Sequence, residues 1–485
     1  MKVLLANPPW NKGDRLGVRA GSRWSYTVKK TEKSQKIPSY VPFPFYLAYA
    51  TALLEKNKID VLLIDAIAEG LSDEEFMKRV VEFKPDLFVI ETSTGSIYQD
   101  LEYCREMKEQ TNAFSVLCGP HATVLNKEIL GESEFVDFIL LGEYEFILLN
   151  LVKAMKGKNF SKVKGLVYRK SKKVIVNARA ESFDINQLPW PARKFLPMKQ
   201  YSDTFGCLAS PSVQVITSRG CPFNCIFCLW PKIMYGGKNY RIRNPKDVID
   251  EVEFLIKEYG FRSFYFDDDT FNIGKERIHK LCEEIKSRVI LKNVKWGAMC
   301  RADTCDREML EDMKNAGMIA IKFGVETADP EVMKKIGKDL DLKKLEETIK
   351  ICRELEISVH LTFAFGLPGE TKESLKKTME YPIKLGVDSA QFSIVTPFPG
   401  TDYFNELEKE NRIITKDWSK YDGADSAVFR TENLTQKDLE DALKMANKKW
   451  AAYIIKRNLF NPEYYRRLIK NPIGSINYLK ELFLK

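Results

Sequence analysis

Arg219-Gly220-Cys221-Pro222-Phe223-Asn224-Cys225-Ile226-Phe227-Cys228 is the most informative stretch of the sequence, because three cysteines lie within eight residues directly after a predicted strand. Three thiolates at this Cys-x3-Cys-x2-Cys spacing can hold one [4Fe–4S] cluster and leave its fourth iron without a protein ligand. An iron with an open position can bind a substrate or a cofactor. Structural zinc normally has four ligands, and no histidine or fourth cysteine is close in the sequence. A zinc site, a four-ligand electron-transfer cluster and unrelated buried cysteines are the alternatives.

A series of alternating strand and helix patterns surrounds and follows this loop. Six strand patterns are separated by amphipathic helix patterns, which indicates parallel strands joined by helical crossovers. Six such strands fit a partial β/α barrel better than a closed barrel of eight. The strand patterns cover residues 212–218, 263–267, 295–303, 320–326, 358–366 and 389–396.

The first 155 residues contain a separate alternation of strands and helices. The strands are hydrophobic throughout, which is typical of strands buried on both faces of a parallel sheet. We therefore predict a doubly wound Rossmann-like domain that binds its ligand at the carboxyl ends of the strands. No Gly-x-Gly-x-x-Gly follows the first strand, which argues against a nicotinamide or flavin cofactor. The predicted strands are residues 3–7, 60–65, 87–92, 114–119 and 138–142.

The predicted fold class is α/β, with a Rossmann-like domain at residues 1–160 and a six-stranded partial β/α barrel at 206–400. Between them, residues 161–205 contain a predicted hairpin and a proline-rich linker. Residues 401–485 form a basic helical tail, whose last 42 residues carry ten Lys and Arg against two Glu.

The composition excludes several classes of protein. The chain has 485 residues, of which 44% are hydrophobic and 29% charged, values typical of a globular protein with two or three domains. It has no apolar stretch of about 18 residues and no signal-peptide pattern, so we expect a cytoplasmic protein. The net charge of +9 is concentrated in the tail, which argues against nucleic-acid binding by the main body. The tail helix can contact an anionic membrane, attract an acidic electron donor, or pack by its apolar face.

The cysteine loop, with the aromatic Phe227 before its last cysteine, resembles the radical S-adenosylmethionine (SAM) superfamily. The resemblance implies that Cys221, Cys225 and Cys228 hold a [4Fe–4S] cluster whose open iron binds the amino and carboxylate groups of SAM. One electron, from a flavodoxin- or ferredoxin-type donor, then cleaves SAM to give a 5′-deoxyadenosyl radical that removes a hydrogen atom from the substrate. In such enzymes the protein positions the reactants and the cofactors supply the difficult chemistry.

Residues at the ends of the barrel strands are the other candidates for contacts with SAM. By the resemblance, Asp267 and Asp268 lie near the SAM ammonium group. A divalent-metal site and a capping cluster are the alternatives for these two carboxylates. Turn formation is the alternative for the remaining candidates, which are Arg301, Glu326 and Gly366.

A Rossmann-like domain ahead of this barrel resembles the cobalamin-dependent subgroup of the superfamily. In that subgroup the loops after the third and fourth strands hold the corrin and its nucleotide tail, which implies contacts from Thr92, Ser93, Gly119 and His121. Small hydroxyl residues and glycine let the backbone approach a buried ligand closely. The Asp-x-His-x-x-Gly signature is missing, so we expect cobalt without a protein histidine as its lower ligand. A capping role for His121 and a domain that only covers the substrate are the alternatives.

The stretch 8–44 and the region around 418–429 resemble subgroup members that act on lipids and natural products, including the hopanoid-biosynthesis enzymes. A loop as long as 8–44 is more often functional than inert, so we expect it to cover the cobalamin. The resemblance implies a monomeric enzyme that methylates an unactivated carbon of a lipid or other small-molecule natural product. The alternatives are radical cyclisation or ring contraction without methyl transfer, a radical enzyme that uses SAM alone, and a cobalamin-responsive binding protein.

Overall fold

A mainly parallel sheet organises the first half of the chain and a parallel sheet the second half. A computed structural model describes residues 1–19, 26–31, 34–202, 205, 207–421, 423 and 426–458. The strands of the first half are β1 (Lys2–Asn7), β2 (Asn11–Lys12), β3 (Arg15–Val18), β4 (Tyr26–Lys29), β5 (Asp60–Asp65), β6 (Leu87–Glu91), β7 (Phe114–Cys118), β8 (Phe138–Leu140), β9 (Leu166–Lys170) and β10 (Lys173–Val176).

The first sheet has seven strands in the order β10-β9-β8-β7-β6-β1-β5. The strands β5, β1, β6, β7 and β8 run parallel, which confirms the Rossmann-like prediction. Every residue of β6 is buried, because helices cover both faces of the sheet. The helices of this half are α1 (Phe45–Lys56), α2 (Ala66–Glu69), α3 (Asp73–Phe83), α4 (Ile97–Thr111), α5 (Pro120–Val124), α6 (Asn126–Glu132) and α7 (Glu145–Met155).

Two segments of the first half differ from the sequence prediction. The predicted hairpin, formed by β9 and β10, which we placed between the two domains, pairs antiparallel with β8 and extends the first sheet. It does so because Leu166, Val167 and Tyr168 are buried against the domain. The stretch 8–44, which we expected to be a loop, contains a small antiparallel sheet of β2, β3 and β4.

The second half contains the predicted partial barrel. Its six parallel strands lie in the order β11-β14-β15-β16-β17-β18, while β12 and β13 form a short antiparallel pair of their own. The strands are β11 (Ser212–Val215), β12 (Ser218–Arg219), β13 (Arg241–Ile242), β14 (Ser263–Phe266), β15 (Lys295–Cys300), β16 (Met318–Glu326), β17 (Ser358–Phe365) and β18 (Ser389–Ile394).

The barrel strands β16, β17 and β18 alternate between a buried apolar face and a more exposed, polar face. In β16, Phe323 and Val325 are buried, whereas Lys322 and Glu326 on the opposite face are half-buried. The apolar face packs under the helices and the polar face lines the lumen, because successive side chains of a strand alternate in direction. The helices of this half are α8 (Pro245–Tyr259), α9 (Lys275–Ser287), α10 (Arg307–Asn315), α11 (Pro330–Lys335), α12 (Leu342–Glu354), α13 (Lys372–Leu385), α14 (Asp402–Lys409) and α15 (Gln436–Asn458).

The last helix, α15, packs against β18 and α13 through an apolar face that includes Leu443, Trp450 and Ile454. Its charged side also meets the barrel, since Lys449 donates a hydrogen bond to Glu380 at 2.7 Å. Packing by the apolar face is therefore the role that this part of the tail displays, and residues 459–485 lie outside the described part of the chain. Within the described ranges, no helix has the length and apolar character needed to cross a membrane.

Candidate active site

The cysteine loop begins just after β12, at the carboxyl end of the first barrel strand. Cys221, Cys225 and Cys228 are free, half-buried thiols, and Phe227 packs its half-buried ring against the hydrophobic core. Burial raises the pKa of all three thiols, and charge on Cys225 raises that of Cys228 further. The three sulfur atoms therefore lie close enough on one loop for the charge of one to affect the pKa of another.

Backbone contacts hold this loop against the barrel. Gly220 has a φ of +94°, and an added Cβ would overlap the carbonyl oxygen of Asn239. The N–H of Ile226 donates to the carbonyl of Ile336 at 3.0 Å, and the carbonyl of Ile226 accepts from the N–H of Tyr403 at 3.1 Å. The centre of the loop is thus fixed between the ends of α11 and α14.

The two aspartates after β14 have different surroundings. The carboxylate of Asp268 accepts hydrogen bonds from the N–H (2.6 Å) and hydroxyl of Thr217 and from the N–H (3.2 Å) and hydroxyl (2.9 Å) of Ser218. Asp268 therefore supports the segment that leads into the cysteine loop, and its expected contact with SAM stays a prediction. Asp267 is buried on the same strand face as Tyr265, which is the lumen face.

Arg301 and Glu326 lie beside the cysteine loop and are both bound to protein groups. The guanidinium of Arg301 donates to Asp303 at 2.5 and 2.7 Å and to the carbonyl of Lys338 at 2.6 Å. It also lies 3.8 Å from the centroid of the Phe223 ring, which belongs to the loop. Glu326 accepts a hydrogen bond from Lys338 Nζ at 2.7 Å. Both predicted residues therefore pack around the loop with Lys338 between them.

Gly366 lies at the end of β17 with a φ of +88°, and its backbone is engaged by its neighbours. Its N–H donates to Glu370 at 2.6 Å and its carbonyl accepts from the hydroxyl of Tyr403. Burial raises the pKa of Glu370 to about 8. The glycine is required here because an added Cβ would lie 2.6 Å from the Phe429 ring. The N–H and the carbonyl of Gly366 both have protein partners, and the cofactor contact expected at this residue stays a prediction.

The predicted cobalamin loops meet at the carboxyl edge of the first sheet. The N–H of Thr92 donates to the carbonyl of Cys118 at 2.9 Å, which joins the ends of β6 and β7. Gly119 has a φ of +96°, and an added Cβ would lie 2.5 Å from the carbonyl oxygen of Thr92. Ser93 is half-buried, with its hydroxyl 2.9 Å from that of Ser96. The structure therefore brings these sequence candidates together.

A buried ion pair from the N-terminal segment occupies part of this edge. Arg19 lies 2.5 Å from Asp100, and their side chains are 3% and 0% exposed. Asp100 also accepts hydrogen bonds from the hydroxyls of Thr92 (2.6 Å) and Ser96 (2.8 Å). The Thr92 hydroxyl is therefore committed to this ion pair, and Ser93 is the half-buried hydroxyl residue of the loop.

His121 is buried at the start of α5. Its Nδ1 lies 3.1 Å from the hydroxyl of Thr94, and its ring meets the edge of Trp418 with centroids 5.5 Å apart. Burial lowers the pKa of His121 to about 3, so the imidazole is neutral at pH 7. The tail also meets the N-terminal segment, since Lys12 donates to the carbonyl of Ser419 at 2.8 Å. Both segments therefore cover this edge of the sheet.

Sequence reasoning missed a buried charged group between the two halves. Glu143 and Glu145 follow β8, and they lie 3.1 and 2.6 Å from Arg219, the residue before Gly220. Asp269 accepts a hydrogen bond from the N–H of Gly220 at 3.1 Å. A signal was present in the sequence, because Glu143 and Glu145 follow a parallel strand at the edge where such domains bind ligands.

The residues at both places fit the groups that the sequence predicts. Three neighbouring thiols on one loop are the donor set of a [4Fe–4S] cluster with one open iron. Within the described ranges, no three His, Cys, Asp or Glu side chains are close enough together to bind a single metal ion. A [4Fe–4S] cluster does not need such a group, because each thiolate binds a different iron. The carboxyl edge of the first sheet offers hydroxyls and glycine backbone, which suit a large ligand rich in amides.

Comparisons with known proteins match both domains. The Radical SAM superfamily model matches residues 215–381, and the B12 binding domain model matches residues 39–152. An uncharacterized methyltransferase of Pyrococcus horikoshii is 31% identical over 83% of this chain and 86% of its own length. The anaerobic magnesium-protoporphyrin IX monomethyl ester cyclase of Cereibacter sphaeroides is 31% identical over 95% of this chain and 71% of its own length.

A solved structure has the same fold. The cobalamin-dependent SAM radical enzyme OxsB, with aqua-cobalamin and SAM bound, superposes with a TM-score of 0.68 at 16% identity and covers 100% of this chain and 72% of its own. The two family matches and the 31% identical relatives show the same order of domains, with the B12-binding domain before the radical SAM domain. The chain belongs to the cobalamin-dependent radical SAM enzymes, which join a B12-binding domain to a radical SAM domain.

Proposed function

We propose that this enzyme transfers a methyl group to a carbon atom of a polar small molecule bound in the barrel lumen. The observation that carries the substrate class is the polar face of β16, β17 and β18. Three polar residues pair across these strands, one from each: Lys322, His360 and Ser389. Two residues further along, Thr362 of β17 pairs with Gln391 of β18.

These lumen residues are half-buried or exposed although they lie inside the barrel, so solvent-accessible space adjoins them. His360 is oriented by a hydrogen bond of 2.6 Å between its Nδ1 and the Ser389 hydroxyl. A pocket for a lipid chain is lined mainly by apolar side chains, whereas hydrogen-bonding groups here favour a substrate with polar substituents. Of the two substrate classes that the sequence suggested, a lipid or another natural product, this chemistry supports a natural product with polar groups.

The cofactor-binding residues proposed for the reaction are those that surround the cysteine loop and the first sheet edge. When bound, the cluster, SAM and cobalamin would supply the electron, the radical and the transferable methyl group. Cys221, Cys225 and Cys228 would hold the cluster, and Asp267 lies on the lumen face where it can contact SAM. Ser93 is the half-buried group proposed to contact the corrin. The electron is proposed to come from a flavodoxin- or ferredoxin-type protein.

Product analysis of the anaerobically reconstituted enzyme tests methyl transfer. With SAM carrying a deuterated methyl group, we expect S-adenosylhomocysteine to accumulate alongside 5′-deoxyadenosine and the label to enter the product. The candidate substrates are polar natural products, with lipids of similar size as the comparison. Label in a lipid and none in any polar compound would contradict the proposed substrate class.

Cyclisation is the second candidate function, and the similarity to the magnesium-protoporphyrin cyclase of Cereibacter sphaeroides favours it. The same experiment separates the two reactions. A product formed with 5′-deoxyadenosine but without S-adenosylhomocysteine would support cyclisation and contradict methyl transfer.

A further inference from the structure

Arg219, two residues before the first cluster cysteine, Cys221, is held by the N-terminal half of the chain. Its guanidinium lies 3.1 Å from Glu143 and 2.6 Å from Glu145, which both follow β8. The three side chains are at most 6% exposed. Each charge of this buried group needs its partner, because removing either one leaves an uncompensated charge away from water.

Further contacts fix the position of the Arg219 guanidinium. Its central carbon lies 4.5 and 4.9 Å from the ring centroids of Tyr46 and Tyr49 on α1. Glu143 also binds Arg241 at 2.7 Å. We call Arg219, Arg241, Glu143 and Glu145 the Arg219 clamp.

A second set of contacts, a chain of hydrogen bonds, runs from α1 to Gly220, the residue after Arg219. The hydroxyl of Tyr46 donates to that of Tyr235 at 2.8 Å, and the Tyr235 hydroxyl donates to Asp269 at 2.8 Å. The same carboxylate oxygen accepts the N–H of Gly220 at 3.1 Å. Two helices of the N-terminal half therefore determine where the chain enters the cysteine loop.

The clamp also reaches the edge of the first sheet that is proposed to bind cobalamin. Tyr144 lies between the two glutamates of the clamp, and its hydroxyl donates to Glu91 at 2.6 Å. Glu91 ends β6 and lies beside Gly119, whose added Cβ would be 3.4 Å from the glutamate Cγ. The turn 143–145 therefore contacts both Arg219, before the cysteine loop, and Glu91, at the edge of the first sheet.

We propose that Arg219 is a positioning residue through which the N-terminal domain sets the reduction potential of the cluster. The inference rests on the proposed cluster at Cys221, Cys225 and Cys228. Reduction adds negative charge to the cluster, so a nearby positive charge raises the potential and a nearby negative charge lowers it. The clamp balances its charges, and removing one member leaves a net charge close to Cys221.

The clamp therefore predicts potential shifts of opposite sign. Glu143→Gln leaves excess positive charge and should shift the potential upward, whereas Arg219→Gln leaves excess negative charge and should shift it downward. Arg219→Lys keeps the charge and should return the potential most of the way to the wild-type value. An anaerobic redox titration of the reconstituted full-length enzyme, followed by EPR of the reduced cluster, measures these shifts.

Glu251→Gln is the matched control. Glu251 pairs with Arg193 at 3.0 Å, and the two side chains are 1% and 4% exposed, but neither has a described contact with the cysteine loop. We expect a wild-type potential for this variant. Potentials of Glu143→Gln and Arg219→Gln that coincide with it, or shift in the same direction, would overturn the proposal.

Tyr235→Phe serves if a clamp variant fails to retain the cluster, because it removes one hydroxyl and no charge. The lost hydrogen bond to Asp269 should change the EPR g values of the reduced cluster, and an unchanged spectrum and potential would overturn the proposal. A wild-type enzyme without any [4Fe–4S] signal would instead refute the proposed function, so the two failures are distinguishable.

Discussion

Gly220 shows how a single residue determines the geometry of the cluster loop. Its φ of +94° is unfavourable for any residue with a Cβ, and the added atom would overlap the backbone of Asn239. We expect Gly220→Ala to destabilise the protein by more than about 3 kcal/mol and to abolish cluster retention, since a backbone neighbour cannot move aside. Thermal unfolding and iron content per chain measure the two effects.

Gly260 supplies the matched control at the end of α8. Its φ is +68° and an added Cβ would meet open space, so Gly260→Ala should cost only about 1–3 kcal/mol of backbone strain. Its iron content should equal that of the wild type. Equal iron content in Gly220→Ala would contradict the assigned role of Gly220.

His121 predicts a pH dependence of stability. Burial lowers its pKa from 6.5 to about 3. Between these pH values, His121 is therefore protonated in the unfolded chain and neutral in the folded chain. Its contribution to stability is therefore complete above pH 6.5 and is lost as the pH falls toward 3. Between pH 7 and 5.5, we expect His121→Gln to lose about 1 kcal/mol less stability than the wild type.

Denaturant unfolding at the two pH values measures this difference. His279 is the control, because a hydrogen bond to Asp312 raises its pKa and reverses the sign of its contribution. His279→Gln should therefore not reduce the sensitivity to acid. A His121→Gln variant as acid-sensitive as the wild type would contradict the neutral, buried imidazole.

At the scale of the elements, the N-terminal segment is tied to the first sheet by Arg19 and Asp100. Asp100→Asn leaves the buried guanidinium without its counter-charge, which should cost about 3–5 kcal/mol. We expect trypsin to cleave faster after Lys29 and Lys30, because the small sheet of β2, β3 and β4 loses its attachment. Glu181→Gln, which breaks the exposed pair with Lys164, should leave cleavage unchanged. Equal cleavage in the two variants would contradict this attachment.

The strands were predictable from the sequence wherever burial on both faces left a hydrophobic run. The strands 60–65, 87–92 and 114–119 match the structure to within one residue. The pairing of β9 with β8 could not be foreseen, because a hairpin pattern does not state which edge it joins. The short strands of 8–44 also escaped prediction, since two- and four-residue strands carry little periodicity.

At the scale of the whole molecule, the tail closes the edge of the barrel next to β18. Trp450 is 4% exposed in this contact, so Trp450→Ala should lower the free energy of unfolding by about 3–5 kcal/mol. Met445, on the same helix, is 52% exposed, and Met445→Ala should change it by no more than about 0.5 kcal/mol. Equal unfolding midpoints for the two variants would contradict the packing of α15.

The site was only partly predictable, for a physical reason that concerns contacts between distant segments. The cysteines could be recognised in the sequence because all three cluster ligands lie on one loop and their spacing alone indicates a [4Fe–4S] site. Asp268 and Gly366 have the right residue types at strand ends, but Thr217 and Tyr403, which bind them, come from other segments. Glu143 and Arg219 are 76 residues apart, and no local pattern joins them.

Mössbauer spectroscopy of the anaerobically reconstituted, ⁵⁷Fe-labelled enzyme measures directly whether Cys221, Cys225 and Cys228 hold a cluster with one open iron. We expect one [4Fe–4S] cluster per chain, with one iron site whose parameters change when SAM is added. We also expect that replacing Cys221, Cys225 and Cys228 together by alanine removes the cluster and the formation of 5′-deoxyadenosine. A wild-type spectrum without such a cluster, or undiminished turnover in the triple variant, would contradict this assignment.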